Sequence, residues 1–261
     1  MMGFCGSAVG LAGSGKVYIG VNLEFPGLPL SNSVHAEQFL VLNALQGGEQ
    51  ELTRVAVSEV PCGHCRQFMA ELACADSLRF LLGVNVKSEY TLADLLPMRF
   101  KPQDVLGEEP GPLLMQPQQH AMAFTPASTC EVQRRDGDRA FVQATHAAVE
   151  AASKSYVPYT RCPAGVGIVT RAGGVYSGGS AESAAYNPTL PPLQAAFVNA
   201  VVGGMGSYSQ VTEVVLVELE DAGVKHRDTT RVMLNGVAPE ATFTVLFATL
   251  SPEAAPHTSG A

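Results

Sequence analysis

The sequence is poor in positive charge. Sixteen Lys and Arg stand against 24 Asp and Glu in 261 residues, a formal charge of −8, and charged residues make up only 15% of the chain. A surface of that sign repels a phosphate backbone, which argues against a general nucleic-acid binder and leaves room only for a small local basic site. No apolar run approaches the roughly 20 residues that a membrane-spanning helix needs, so no membrane association is expected. A basic N-terminal segment of the secretory kind is missing too, the first lysine being Lys16. Cysteine makes no disulfide framework: Cys5, Cys74, Cys130 and Cys162 are scattered and read as small core residues or free thiols. That usage fits a reducing compartment, so a cytoplasmic protein is expected, with an organelle as the other location. Apolar residues are 46% of the chain, ample for a core, and the length suits one large domain or two ordinary ones.

Two cysteines do stand close together. Cys62 and Cys65 follow Pro61, and upstream lies His35-Ala36-Glu37. An imidazole and two thiolates are three good zinc ligands, and a catalytic zinc takes three protein ligands with its fourth position left to water. Thiols in the first turn of a helix are favoured as thiolates by the helix dipole, and Pro61 suits the entry to that helix. Glu37, two residues past His35, can lie beside the metal without binding it and move protons both ways. The competing reading is a closed structural zinc site with His64 or Cys74 as fourth ligand, which leaves Glu37 without a purpose. His-x-Glu followed by Pro-Cys-x-x-Cys is the established signature of the zinc deaminases.

Around this motif the sequence alternates strand and helix. Residues 8–12 and 17–21 read as strands about a Gly-Ser turn. A helix is expected from His35, with Phe39, Leu40, Leu42 and Leu45 inward. Residues 52–60 read as a strand, 62–73 as a helix with Phe68, Met69 and Leu72 inward, 77–84 as a buried strand and 91–96 as a short helix. Such alternation implies a layered α/β fold with a partly parallel sheet. From Leu96 to Phe124 prolines and glutamines break every period, as in a linker laid over the surface.

The chain then restarts. Ala8-Val9-Gly10 recurs as Gly165-Val166-Gly167 and Val17-Tyr18 as Val175-Tyr176. Gly20, Asn22 and Glu24 fall on Gly178, Ser180 and Glu182. After a two-residue gap Gln38 falls on Gln194, Asn43 on Asn199, and His35-Ala36-Glu37 on Pro191-Pro192-Leu193. This is an internal duplication whose second copy has lost the metal and the acid/base group. The expected layout is a catalytic domain over 1–97, a linker over 98–127, a degenerate copy over 128–250 and a disordered tail over 251–261.

These residues resemble the cytidine deaminases of the larger, two-domain, dimeric kind found in plants and bacteria. The resemblance rests on His35-Ala36-Glu37-Gln38 and Pro61-Cys62-Gly63-His64-Cys65-Arg66-Gln67-Phe68. Asn22-Leu23-Glu24-Phe25 matches the family's ribose-binding stretch. Leu96-Pro97, Phe100, Pro102, Asp104, Leu113-Leu114-Met115 and Gln119-His120 match its linker, and Ser155-Tyr156-Val157-Pro158-Tyr159 resembles the start of its domain. The resemblance implies a three-layer α/β/α fold with a mixed sheet of about five strands, duplicated as a catalytic and a degenerate copy. It implies one Zn2+ per chain on His35, Cys62 and Cys65, with Glu37 as proton shuttle. Asn22 and Glu24 would hold the sugar hydroxyls, Phe4 would stack on the base, and the Ala36 N–H would meet the base carbonyl. Phe100 would reach the site of a partner subunit in a homodimer. The implied activity is hydrolysis of the 4-amino group of cytidine or deoxycytidine, in pyrimidine salvage. The family also places an amphipathic helix before the position of Phe4, where this sequence has only Met1-Met2-Gly3, so bare apolar sheet surface is expected.

Two rival functions are weighed beside this one. A pseudoenzyme could dimerise with an active paralogue, or the substrate could be another base, its nucleotide or a polynucleotide. A phosphorylated substrate would need a cation near Asn22 and Glu24, and Lys16 is the only early candidate. Gly10-Leu11-Ala12-Gly13-Ser14-Gly15-Lys16 nearly spells a phosphate-binding loop. Val17 takes the Ser/Thr position, however, and a strand follows where a helix is required, so a hairpin turn is expected.

Overall fold

The structure, a computed structural model, describes residues 6–83 and 88–251. Strands β1 (Ser7–Ala12) and β2 (Val17–Val21) form the hairpin expected of the glycine-rich stretch. Ala12 N donates to Lys16 O at 2.9 Å, and Gly15 takes a φ of 86°, which a glycine adopts without strain. Then come helix α1 (Ala36–Gln46), strand β3 (Leu52–Val57), helix α2 (Gly63–Met69), strands β4 (Arg79–Leu82) and β5 (Glu89–Thr91) and helix α3 (Leu92–Leu95). The first sheet has the order β2-β1-β3-β4-β5, with β3 and β4 parallel and every other pair antiparallel.

The second half follows the same plan. Helix α4 (Pro102–Leu106) and strand β6 (Met122–Phe124) arise within the stretch read as linker, followed by helices α5 (Pro126–Arg134) and α6 (Arg139–Ser153). Strands β7 (Ala164–Thr170) and β8 (Val175–Gly179), helix α7 (Pro192–Val202), strand β9 (Val211–Leu219), helix α8 (Arg227–Val237) and strand β10 (Thr242–Leu250) complete it. This sheet has the order β6-β10-β9-β7-β8, with β9 and β10 parallel. Read from the hairpin end, the two sheets have one topology. The fifth strand differs in origin: β5 follows its neighbour β4 in sequence, whereas β6 precedes the whole second copy.

Strand pairing supports the duplication and corrects its first register. Ala8 pairs with Gly20 and Val166 pairs with Gly178, so Ala8 corresponds to Val166 and not to Gly165. Two Gly/Ala/Val-rich strands offer little side-chain pattern to fix a register, and the hairpin partners decide it. Beyond the turn the sequence alignment holds. Asn43 Nδ2 donates to Ile19 O and Asn199 Nδ2 to the equivalent Ser177 O, at 2.9 and 2.6 Å.

Helices α1 and α7 pack between the sheets and against each other. In the second copy α6 covers the other sheet face through buried Phe141, Ala144, Ala148 and Ala152, giving three layers. On the corresponding face of the first copy the described residues leave Val9, Val17, Ile19 and Val21 exposed, as expected of that face.

Three boundaries differ from the sequence reading. β3 ends at Val57 and not Val60, because its parallel partner β4 ends opposite it at Leu82. α2 ends at Met69 and not Ala73, because Leu114 of the linker pairs with Leu72 and accepts from Ala73 N. The strand read over 77–84 is four residues, Arg79–Leu82, with Phe80 buried and the other three half-buried; Val84 lies outside the described residues. Leu45 is exposed, not inward, because it lies in the last turn of α1, where that helix borders a groove between the copies.

Candidate active site and metal centre

His35 is the N-cap of α1, and Cys62 is the N-cap of α2 with Cys65 in its first turn. Two helix N-termini thus meet, and their dipoles favour negative charge between them. Gly20 makes the close docking of α1 on β2 feasible: a Cβ there would overlap the Ala36 carbonyl and Leu40 N. Arg66 holds the approach to α2, donating from Nε to Pro61 O and from Nη1 to Leu95 O, both at 2.6 Å.

The His35 Nδ1 atom lies 3.4 Å from Cys62 Sγ and 3.4 Å from Cys65 Sγ. All three donor atoms fall within 4.8 Å of one another, and this is the one such group among the described residues. Tetrahedral zinc, with bonds of roughly 2.0 Å to nitrogen and 2.3 Å to sulfur, sets N···S separations of about 3.5 Å, so the donors fit it. Neither His64 nor Cys74 joins the group. The His64 ring stacks obliquely on His35 with centroids 5.1 Å apart, and Cys74 is buried elsewhere beside the linker. The closed four-ligand reading therefore finds no fourth side chain among the described residues.

Without a metal these groups share protons. The Cys62 thiol is lowered to about 3, by its hydrogen bond with Cys65 first and that with His35 second. Cys65 is pushed up by the same pairing and by burial, while His35 is raised chiefly by Cys62. Burial and the neighbouring His35 lower His64. A thiol held low beside an imidazole held high is an arrangement in which a dication readily replaces the shared proton.

Glu37 Oε2 lies 3.3 Å from Cys65 Sγ but outside the three-donor group. It lines a cleft of about 200 Å³ together with Asn22, His35, Ala36 and Cys62, and with Ser7, Val57 and the stretch 58–60. Asn22 Oδ1 accepts from Ala36 N at 3.1 Å, so the N–H that the resemblance gives to the base carbonyl caps onto Asn22 here. Glu24 is half-buried and does not line this cleft. The two residues flank Leu23, whose backbone pairs with Val34, beyond the end of β2. Phe100 is 44% exposed, and both its backbone groups are bonded by the side chain of Gln67 on α2. Phe4 lies outside the described residues. Lys16 pairs with Glu49 at 3.7 Å, at the end of β2 remote from Asn22. Six residues of strand set those ends roughly 20 Å apart, too far for Lys16 to reach a substrate phosphate.

Sequence reasoning did not single out Glu71, a fully buried carboxylate bonded across the two copies, or the cross-copy bond of Gln38. No motif or period marks either, since their partners are 85 to 150 residues away.

Two stretches of the chain, residues 3–80 and 92–231, match the family description "cytidine and deoxycytidylate deaminase zinc-binding region". Cytidine deaminase 1 of Arabidopsis thaliana is 40% identical over 251 residues, covering 92% of this chain and 82% of that protein. Cytidine deaminase 6 of the same plant is 41% identical over 249 residues, covering 92% and 83%. The cytidine deaminase of Yersinia pseudotuberculosis is 39% identical over 240 residues, covering 92% and 75%. The duplicated fold, the triangle of His35, Cys62 and Cys65 and these matches along most of its length agree: the chain belongs to the cytidine deaminase family.

Proposed function

We propose that this protein hydrolyses the exocyclic amino group of cytidine or deoxycytidine, releasing the uracil nucleoside and ammonia. The observation that carries this is the juxtaposition of a three-donor metal group with a carboxylate outside that group, on the lining of one cleft. His35, Cys62 and Cys65 hold one zinc ion per chain, which when bound supplies the Lewis acidity that makes water a nucleophile at neutral pH. Glu37 takes one proton from the attacking water and gives it to a ring nitrogen; it then takes the second from the hydroxyl added at the ring carbon and gives it to the amine, which leaves as ammonia as the C–N bond breaks and the carbonyl forms. Asn22 and Glu24 bind the sugar, and Phe4 stacks on the base. For Glu24 to act, it turns toward the cleft as substrate enters. For the Ala36 N–H to meet the base carbonyl, it exchanges or shares its present bond to Asn22.

The active protein is a homodimer working in pyrimidine salvage in the cytoplasm, with Phe100 presented to the partner's cleft. Exposure of the Phe100 ring on a pinned backbone supports that role. A pseudoenzyme is disfavoured, since the donors and the carboxylate are all in place. No helix among the described residues is long and apolar enough to cross a membrane.

The test is uridine and ammonia formation by purified protein of known zinc content, with cytidine, deoxycytidine, their monophosphates and single-stranded oligonucleotides compared. Turnover of the free nucleosides, lost with a chelator and restored by zinc, is the expected result. Zinc-loaded protein that releases no ammonia from either nucleoside would overturn the proposal. Mass in solution, measured alongside, checks the dimer.

A further inference from the structure

The two helices that carry the metal donors are both anchored in the copy that carries none. At the start of α1, Gln38 is 1% exposed. Its Oε1 accepts from His35 N at 3.3 Å and its Nε2 donates to Pro188 O at 2.9 Å. Two residues past the end of α2, Glu71 is fully buried. Its Oε1 accepts from Ala184 N at 2.7 Å, and its Oε2 accepts from Tyr156 Oη at 2.9 Å and Tyr159 Oη at 2.6 Å.

Ala184 and Pro188 belong to one segment, residues 181–190, between β8 and α7. That segment is itself closed. Ala181 and Leu190 exchange backbone hydrogen bonds of 3.0 and 2.8 Å. Glu182, at the position of Glu24, accepts from Tyr159 N at 3.0 Å and Thr160 N at 3.2 Å. Tyr159 thus joins the Glu182 and Glu71 carboxylates. In the catalytic copy the corresponding stretch, residues 23–34, joins Asn22 to His35, both of which line the cleft. In the second copy it is tied off internally, and its outward groups hold the first copy.

We propose that residues 181–190 of the second copy are a positioning element for the metal site: by fixing Gln38 on α1 and Glu71 behind α2, they set the separation of His35 from Cys62 and Cys65. Hydrogen bonds to a buried carboxylate are strong and directional, and a bond to the backbone of a ligand residue orients the ligand. Gln38 and Glu71 touch neither metal nor substrate and act through the ligands. The inference rests on the zinc site of the proposed function.

The test compares Gln38→Leu and Tyr159→Phe with a control, Phe141→Leu, which loosens the small core under α6 away from this segment. Zinc affinity is measured by chelator competition, and the visible bands of the cobalt(II)-substituted proteins report ligand geometry. Gln38→Leu is expected to weaken zinc about tenfold or more, in the range seen when partners of metal ligands are removed. Tyr159→Phe, which leaves Glu71 its bonds to Tyr156 and Ala184, should weaken zinc less, and both should shift the cobalt bands. Phe141→Leu should lower the melting temperature and leave both readouts unchanged.

Gln38→Leu or Tyr159→Phe with wild-type affinity and bands would overturn the inference, as would a control that loses zinc equally at equal loss of stability. If Gln38→Leu does not fold, the milder Tyr159→Phe decides. A wild-type protein that takes up no zinc would overturn the metal site and this inference with it. Folded variants indistinguishable from a zinc-loaded wild type overturn the inference alone.

Discussion

Gln38 and Gln194 cross the boundary between the copies in opposite directions: Gln38 Nε2 donates to Pro188 O, and Gln194 Nε2 donates to Asn32 O. Each glutamine is the third residue of its helix, and each acceptor lies just before the other helix. The contact is self-complementary, as in a two-fold dimer, although it is internal to one chain. It accounts for a glutamine being retained in a copy whose His35 and Glu37 positions became Pro191 and Leu193. The glutamine serves docking, in which both copies take part, whereas His35 and Glu37 belong to the chemistry proposed for the first copy.

Glu37 lies outside the donor triangle, so under the proposed function turnover and metal binding should separate. Glu37→Gln keeps the side-chain volume and removes the proton carrier. Turnover should fall by about 10²- to 10⁴-fold, the usual worth of a general acid/base. Zinc measured by atomic absorption should stay at the wild-type level. Loss of zinc in parallel with activity would make Glu37 a ligand.

Asn22 caps the Ala36 N–H in the free protein and is proposed to bind sugar in the complex. Asn22→Ala should therefore act twice. Urea unfolding should show a loss of about 1 kcal/mol, as for other lost helix caps. Steady-state kinetics should show a raised KM with zinc content intact. An unchanged KM would remove Asn22 from substrate binding and leave it a cap.

Gly20 lies against the backbone of α1, where no side chain can swing aside. Gly20→Ala should cost about 3 kcal/mol or more, at the upper end of overpacking penalties. Because the displaced atoms belong to Ala36 and Leu40, zinc affinity should fall as well. A folded Gly20→Ala protein with wild-type melting temperature would show that α1 can retreat from β2 at no cost.

Burial lowers His226 to about 4, below its ordinary 6.5. Folded protein therefore keeps this imidazole neutral where the unfolded chain protonates it. The stabilisation is complete above pH about 6.5 and is lost progressively as pH falls toward the folded value of about 4. His226→Gln cannot titrate. The stability difference between wild type and variant should move by about 2 kcal/mol against the wild type from pH 7 to pH 5. Paired urea titrations at the two pH values measure it, and a difference independent of pH would place His226 in contact with solvent.

The site was more legible in the sequence than its support was. His35, Cys62 and Cys65 could be read because zinc accepts few donor atoms and short spacings bring them to helix starts. The exact span of the β2 hairpin strand was readable because Gly and Ser mark its turn and Val-Tyr-Ile-Gly-Val fills it. The ends of β3 and α2 were not, because a neighbouring strand and Leu114 of the linker set them. The register of β1 against β7 slipped by one residue because runs of small apolar residues look alike at either offset.

The sequence by itself determined the donor atoms, the carboxylate beside them and the existence of two related halves, since each is written in local residue type and short spacing. Only the tertiary structure decided what the second half does for the first. Gln38 meets Pro188 across 150 residues and Glu71 meets Ala184 across 113, and contacts of that range are made by packed surfaces and leave no period in the chain.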